Sequence, residues 1–366
     1  MIGIIGGYGD VGLEAVKSLA QWGKSPLRIG GRNPAEARKR LGGALPQAEW
    51  RELDLEDARS LAAFAADCEL VLNCAGPSHR ASARVARLCA SLGCHYVDAG
   101  DDPMFREMRA EATDRVILYA AGASPGLSGL LPRWLAGTFD DTVHSLWYCM
   151  GSLDRFTASA AEDYLAGIAG GANEPLAAWR DGARRPSAAQ RRSGVALPGW
   201  SRDIALYPYM DEEAEEVAST LSLRDGEWHI AVDGTATTRV LEEARAQFAT
   251  EPGTAVRRLC EATALDSAGR SPYMHLIVQL AGRAGGTECT RTLLVQADRP
   301  AAMTGRTAAA AARAVLEGEI PAGVRPLAGI PDPEPVARRL REDRSTRWTV
   351  INRSVAEMME TEEGEI

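Results

Sequence analysis

Short, mostly apolar runs alternate with amphipathic segments along the first third of the chain. After the first run, Val11, Ala15 and Leu19 are spaced as on one helix face, and Gly23 is suited to end that helix. Six runs of this kind, typical of buried strands, lie at residues 2–6, 26–31, 48–55, 68–76, 94–100 and 115–122. Strands alternating with helices predict the doubly wound parallel sheet of an α/β Rossmann fold.

The pattern changes after Gly122. A strand is predicted at 142–151, and a helix within 210–223 with Asp211 as its N-cap. An antiparallel hairpin is predicted at 272–297 around the turn "RAGG". Residues 165–203 have no strong periodicity. These elements predict a second domain of mixed α+β type.

An alanine-dense helix is predicted late in the chain, at 304–318, and its small side chains favour close packing. We place it back on the first domain. The predicted division is a nucleotide-binding domain at 1–125 that includes 303–330, a substrate and dimerisation domain at 126–302, and a C-terminal extension with an acidic tail at 331–366.

Composition excludes several classes of protein. The 366 residues include 50 acids and 41 bases, a net charge of −9, without the basic stripe typical of nucleic-acid binding. No apolar segment reaches 18 residues and the chain opens on a strand, so we expect no membrane span, no leader and a cytoplasmic location. Seven cysteines without a C-x-x-C pair predict reduced, buried thiols and no metal site. The last thirteen residues contain five acidic residues and no basic one; the acids are Glu357, Glu360, Glu362, Glu363 and Glu365.

A glycine motif follows the first predicted strand and opens the first helix. It has the form G-x-G-x-x-G, in which Gly7 permits a tight turn, Gly9 admits a pyrophosphate and Gly12 lets helix and strand pack closely. The free N–H groups of the helix then face the phosphates. The predicted cofactor-binding residues of this motif are Gly7, Tyr8, Gly9, Asp10, Val11 and Gly12.

The end of the second strand indicates which dinucleotide is bound. NAD-binding proteins usually carry an acid there, which holds the ribose 2′-hydroxyl. This chain instead has Arg32 and Asn33 after two glycines. Because an arginine can hold a 2′-phosphate by charge-assisted hydrogen bonds, the sequence predicts NADP(H).

Several segments together resemble the saccharopine dehydrogenase-like family of NADP-binding proteins. The segments that carry the resemblance are "GGYGDVG" at 6–12, "GGRNP" at 30–34, "DLED" at 54–57, "VLNCAGP" at 71–77, "CHYVDAGDD" at 94–102 and "AAGASPGLSGLLPRWL" at 120–135. The resemblance is specific over about the first 135 residues; beyond them only the layout is similar.

The resemblance implies further site residues and a chemistry. Asp54 would lie by the adenine, and Ser124 would line the mouth of the site. A loop beneath the nicotinamide ribose would be formed by Asn73, Ala75, Gly76 and Pro77. The family's common chemistry is hydride transfer, often to an imine, and its lysine-forming members use a lysine with a histidine for proton transfer. Here no lysine lies beyond Lys39, so that activity is not expected.

Reduction of a neutral imine needs a proton source near the nicotinamide. His79, Asp101 and Asp102 are the candidate catalytic residues, because they follow the fourth and fifth strands at the edge of the sheet where ligands bind. Asp98, at the end of the fifth strand, is a further candidate acid. The alternative for His79 and the two neighbouring acids is helix capping.

Three functions remain open. The first is an NADPH-dependent reductase of an imine in an amino-acid-derived metabolite. The second is an enoyl or carbonyl reductase of a specialised pathway, with a small-molecule or carrier-bound substrate. The third is a non-catalytic NADP sensor. The hairpin also predicts a homodimer, since it has apolar residues on both faces, although a buried face alone would explain them; these residues are Leu276, Val278, Leu293 and Val295.

Overall fold

The computed structural model describes residues 1–170 and 173–363, which fall into two compact units. Unit 1 comprises residues 1–127 and 301–342, and unit 2 comprises 128–300 and 343–366. Glu365 of the acidic tail lies outside the described residues.

The secondary structure comprises strands and helices in both units. The strands are β1 (Ile2–Ile5), β2 (Leu27–Gly31), β3 (Glu49–Glu52), β4 (Leu70–Asn73), β5 (His95–Asp98), β6 (Val116–Tyr119), β7 (Val143–Leu153), β8 (Glu174–Pro175), β9 (Ala178–Arg180), β10 (Ala183–Arg185), β11 (Arg192–Val195), β12 (Ile204–Met210), β13 (Asp225–Val232), β14 (Tyr273–Ala284), β15 (Thr287–Ala297), β16 (Gly323–Pro326) and β17 (Thr346–Ile351). The helices are α1 (Asp10–Trp22), α2 (Pro34–Leu41), α3 (Ala58–Ala65), α4 (Ser82–Ser91), α5 (Met104–Met108), α6 (Leu127–Ala136), α7 (Ala158–Ala169), α8 (Glu212–Thr220), α9 (Thr235–Thr250), α10 (Pro252–Ser267), α11 (Pro300–Leu316), α12 (Glu334–Glu342) and α13 (Val355–Glu363).

The sheet of unit 1 is parallel, with the strand order β16-β6-β5-β4-β1-β2-β3. The predicted α/β fold with a doubly wound sheet is therefore confirmed. The seventh strand, β16, was not predicted, because "GVRP" is too short and polar to stand out as a buried strand. The order reverses between β1 and β4, and ligands bind at such a switch point, beyond the carboxyl ends of the strands.

Helix α1 shows why these residues form this layer. Its buried face carries Ala15, Val16 and Leu19, which are fully buried, and the helix ends at Gly23 in a left-handed conformation. Helix α11 packs directly on α1: a Cβ added at Gly305 would lie 2.3 Å from the Val11 carbonyl oxygen. Only a residue without a side chain allows so close an approach.

The segment 331–366, predicted as a C-terminal extension, is instead divided between the two units. Helix α12 belongs to unit 1, where Arg339 forms ion pairs with Glu317 and Glu319. Strand β17 belongs to unit 2 and pairs antiparallel with β15. No local pattern indicates this pairing, because the partner strand lies about fifty residues earlier in the chain.

Unit 2 contains a ten-stranded mixed sheet whose main path is β10-β9-β13-β7-β14-β15-β17. The predicted hairpin forms β14 and β15, and the predicted N-cap Asp211 accepts a hydrogen bond from the Ala214 N–H at 2.8 Å. The end of α7 and the short strands β8 to β11 lie within 165–203, where periodicity gave no prediction. The second α+β domain is confirmed.

The apolar side chains that suggested a dimer interface are buried in the single chain. Leu276, Val278, Leu293 and Val295 are all 0% exposed, so burial within the chain accounts for them, and a homodimer remains a prediction. Among the described residues, no helix is both long and apolar enough to cross a bilayer.

Candidate active site

The loops that follow β1 and β4 touch each other at the switch point. Gly6 has a φ of +70°, and a Cβ added there would lie 3.0 Å from the Ala75 nitrogen. The glycine loop and the loop after β4 therefore form one continuous surface at the carboxyl edge of the sheet.

Within the motif, contacts inside the protein leave no room for a side chain at Gly7 and Gly12, whereas they leave room for one at Gly9. A Cβ at Gly12 would lie 2.2 Å from the Gly6 carbonyl oxygen, and one at Gly7 would lie 2.9 Å from Ile29 Cγ2. At Gly9 nothing is nearer than 3.4 Å and the residue is exposed. Gly9 also caps α1 without a side-chain hydrogen bond to the first-turn N–H groups. This arrangement fits a phosphate that approaches the backbone at Gly9.

Alanine substitutions should separate these roles. Gly9→Ala is expected to weaken NADPH binding about tenfold without lowering the melting temperature, because its added methyl group meets only the ligand. Gly12→Ala should destabilise unit 1 by about 1–3 kcal/mol, because its methyl overlaps the Gly6 carbonyl. Fluorescence titration with NADPH and thermal unfolding without it measure the two effects. A lower melting temperature for Gly9→Ala would contradict the assignment.

The turn after β2 is exposed at Arg32 and Asn33. The Asn33 N–H donates a hydrogen bond to Tyr8 Oη at 2.8 Å, which ties this turn to the glycine loop. Asp10 is exposed and Val11 is half-buried at the start of α1. The residues chosen from the motif and from the β2 end therefore lie at one edge of the sheet.

Asp54 lies in the exposed turn after β3. Its N–H donates to Ser60 Oγ at 3.2 Å, and its Oδ1 accepts from the Glu56 N–H at 2.9 Å. These contacts close the turn between β3 and α3, and contact with an adenine remains a prediction.

A buried hydrogen-bond network supports the loop after β4. Asn73 Oδ1 accepts from the Ala75 N–H at 3.0 Å, and Asn73 Nδ2 donates to Asp98 Oδ2 at 3.0 Å. Tyr96 Oη donates to the same carboxylate oxygen at 2.5 Å, and the Gly100 N–H donates to Asp98 Oδ1 at 2.9 Å. Burial raises the pKa of Asp98 to about 6, although these hydrogen bonds oppose the shift.

This network is the part of the site that sequence reasoning missed. Asp98 was a candidate acid, but Tyr96 and Ser82 were not considered, although Asn73 Nδ2 also donates to Ser82 Oγ at 3.3 Å. One signal was available: Asn73 and Asp98 both end apolar strands, and the structure places them in register on β4 and β5.

The remaining residues of the β4 loop lead into His79. Gly76 is exposed, Pro77 is half-buried, and the short 3₁₀ helix Ser78–Arg80 follows at once. His79 is half-buried on this turn, and Ser78 Oγ donates to the Asp101 carbonyl oxygen at 2.8 Å. The structure thus brings the turn of His79 beside the segment that follows β5.

Asp101 and Asp102 have defined partners. Asp102 is 4% exposed, and its two oxygens accept from the Met104 and Ala83 N–H groups at 3.0 and 3.1 Å. Asp101 forms an ion pair with Arg106 at 3.0 Å. Asp102 therefore caps the starts of α4 and α5, the alternative considered for it.

Ser124 is exposed in the loop after β6. Two residues later, Gly126 has a φ of +125°, and a Cβ there would lie 2.2 Å from the Ala120 carbonyl oxygen. The fold of this loop therefore requires glycine. In the described part of the chain, no group of three or more His, Cys, Asp or Glu side chains is arranged to hold a metal ion.

A doubly wound sheet with a glycine loop at its switch point defines a dinucleotide-binding domain. Residues 2–118 match the family model for the saccharopine dehydrogenase NADP binding domain. The resemblance inferred from the motifs is therefore confirmed over this part of the chain.

A relative and two solved structures extend this comparison. A probable mitochondrial saccharopine dehydrogenase-like oxidoreductase of Arabidopsis thaliana is 30% identical over 181 residues, which are 44% of this chain and 39% of that relative. The match thus spans well under two thirds of the relative's length.

The structures of two enzymes share the fold at low sequence identity. The apo saccharopine dehydrogenase (L-Glu forming) of Saccharomyces cerevisiae is 15% identical, with a TM-score of 0.72 over 96% of this chain and 99% of that chain. The homospermidine synthase of Legionella pneumophila, solved with NAD, is 12% identical, with a TM-score of 0.59 over 96% and 91% of the chains.

Proposed function

We propose that the protein is an NADPH-dependent reductase that acts on an imine, or a related C=N group, of an amino-acid-derived metabolite. The observation that carries the proposal is the position of His79, on the turn that leads directly from the loop expected beneath the nicotinamide ribose. The likeness in fold to a saccharopine dehydrogenase and a homospermidine synthase supports this choice among the reductases.

In this reaction, roles fall to the glycine loop with the start of α1, the turn after β2 and the loop after β4. The backbone at Gly9 and the first turn of α1 bind the pyrophosphate, and Arg32 binds the 2′-phosphate. The β4 loop, held by Asn73, supports the nicotinamide ribose. Bound NADPH supplies the hydride that adds to the imine carbon.

The imine nitrogen must also gain a proton to give the amine. We assign His79 as the donor, because imidazole is suited to proton transfer near neutral pH. Asp102 has both oxygens engaged by backbone N–H groups, and Asp101 is paired with Arg106, so in this proposal the two acids hold the turns around His79 rather than transfer protons.

A substrate panel tests the proposal. NADPH oxidation should be fastest with pairs of a 2-keto acid and an amine, and slower with carbonyl compounds or enones that cannot form an imine. Turnover of enones alone would instead favour an enoyl reductase. Tight NADPH binding without turnover of any compound would favour a sensor.

The proton donor is tested with the best substrate of that panel. His79→Ala is expected to lower kcat by about a hundredfold with little change in NADPH affinity, and added imidazole should restore part of the rate. His144→Ala, which removes a half-buried histidine of β7 paired with Glu288, is the control. Full activity of His79→Ala would remove this residue from the mechanism.

A further inference from the structure

The side chain of Tyr8 occupies the space beside the last residue of β2. A Cβ added at Gly31 would lie 2.3 Å from Tyr8 Oη, 2.5 Å from Tyr8 Cζ and 2.9 Å from Tyr8 Cε1. Gly31 does not have a left-handed backbone conformation, so the backbone itself would accept any side chain. The phenol ring in its present position therefore leaves no room for a Cβ at position 31.

The phenol ring is also fixed in place. Its hydroxyl accepts the Asn33 N–H at 2.8 Å, and the Tyr8 carbonyl oxygen accepts from Arg40 Nη2 at 3.4 Å. Tyr8 is half-buried and lies between two glycines of the motif, Gly7 and Gly9. The ring thus connects the glycine loop to the turn that carries Arg32.

This position matters because a dinucleotide is distinguished by its 2′ substituent at the end of β2. An acid there accepts a hydrogen bond from the 2′-hydroxyl of NAD(H), whereas an arginine binds the 2′-phosphate of NADP(H). Residues 31 and 32 are the two positions at this end, and residue 32 is already arginine. At the other position, residue 31, the ring of Tyr8 leaves no room for an acidic side chain.

We propose that Tyr8 is a specificity-determining residue: its ring keeps an acidic side chain out of position 31, so that the end of β2 lacks the acceptor that the 2′-hydroxyl of NAD(H) would need. Tyr8 and Arg32 then act together: the arginine attracts the 2′-phosphate, and the ring prevents the competing arrangement, as specificity by exclusion requires. The inference rests on the cofactor of the proposed function, and it does not depend on which substrate is reduced.

A double-mutant cycle tests this proposal by binding alone. Wild type, Gly31→Asp, Tyr8→Ala and the double variant are each titrated with NADPH and with NADH, and cofactor fluorescence gives Kd. Gly31→Asp alone is expected to weaken both cofactors, because the aspartate collides with the ring. In the double variant NADH should bind about tenfold more tightly than in Gly31→Asp.

Tyr8→Phe separates the bulk of the ring from its hydroxyl. Combined with Gly31→Asp it should leave NADH binding weak, since the added Cβ would still lie 2.5 Å from Cζ and 2.9 Å from Cε1 of the ring. If Gly31→Asp does not fold, as thermal unfolding without cofactor would reveal, Gly31→Ala replaces it, and Tyr8→Ala should then restore the NADPH affinity that Gly31→Ala loses.

Two results would overturn the proposal. One is NADH binding by Gly31→Asp alone as tight as in the double variant; the other is a folded double variant with no gain for NADH. The titrations contain no substrate, so both results are independent of the imine panel. If no compound of that panel is turned over, the double-mutant cycle can still be interpreted.

Discussion

Replacing Arg32 with aspartate is expected to weaken NADPH binding about a hundredfold and to leave NADH binding nearly unchanged. Arg32 is exposed in the turn after β2, where its guanidinium can form charge-assisted hydrogen bonds with a 2′-phosphate. Such bonds contribute about 1.5–3 kcal/mol, and the reversed charge adds repulsion between aspartate and phosphate. NADH has no 2′-phosphate, so it loses neither term.

Direct titration of both cofactors measures this effect. Arg87→Asp is the matched control, since it makes the same charge reversal on an exposed arginine of α4, in unit 1, that is paired with Glu111. The loss at Arg32 should shrink at high ionic strength, because salt screens exposed charges. An equal loss for NADPH and NADH would show that Arg32 does not bind the 2′-phosphate.

Removal of the Asp98 carboxylate is expected to lower the free energy of unfolding by about 3–5 kcal/mol. Asp98 is 1% exposed, and the alanine would leave the Tyr96 hydroxyl and the Gly100 N–H without their acceptor and the Asn73 amide with Ser82 Oγ alone. Each buried donor left unpaired costs about 1–3 kcal/mol. Urea unfolding of Asp98→Ala without cofactor measures the loss.

Asp98→Asn provides the control, because the amide has the same shape and keeps one acceptor oxygen. It should cost less than Asp98→Ala, and it should also weaken the pH dependence of stability. An alanine variant as stable as the wild type would show that water, rather than the carboxylate, satisfies these donors.

The pH dependence follows from the raised pKa of Asp98. Burial raises this pKa from 3.8 to about 6, so the folded state holds the proton more tightly than the unfolded state does. The resulting stabilisation is full below pH about 4 and is lost as the pH rises to about 6. The wild type should therefore lose stability relative to Asp98→Asn across that interval. A difference in the free energy of unfolding that stays constant with pH would contradict this prediction.

The near absence of lysine limits the chemistry of this protein. Lys17 and Lys24 form ion pairs with Glu14 and Glu317. Together with Lys39 these are the only lysines of the chain, so the residues from 40 onward contain none. In the proposed reaction the proton therefore comes from another kind of group, for which His79 is our assignment.

By itself, the sequence determined the six strands β1 to β6 of unit 1 and the location of the loops that are expected to bind the cofactor. Apolar strands such as Ile2–Ile5 are buried by local pattern, and Gly12 meets a constraint set within one strand–turn–helix unit, by the Gly6 carbonyl. Information of this kind lies in neighbouring residues, so it can be read without knowing the rest of the chain.

Only the tertiary structure decided how residues from separate strands act together. The Asn73–Asp98 network depends on the register of β4 against β5, and the contact of Tyr8 with Gly31 depends on the closeness of the β1 and β2 ends. Likewise, β17 lies in unit 2 through its pairing with β15 and the contact of Trp348 with Trp134. Such contacts arise from packing between segments that are far apart in the chain, and a single sequence carries no periodic signal for them.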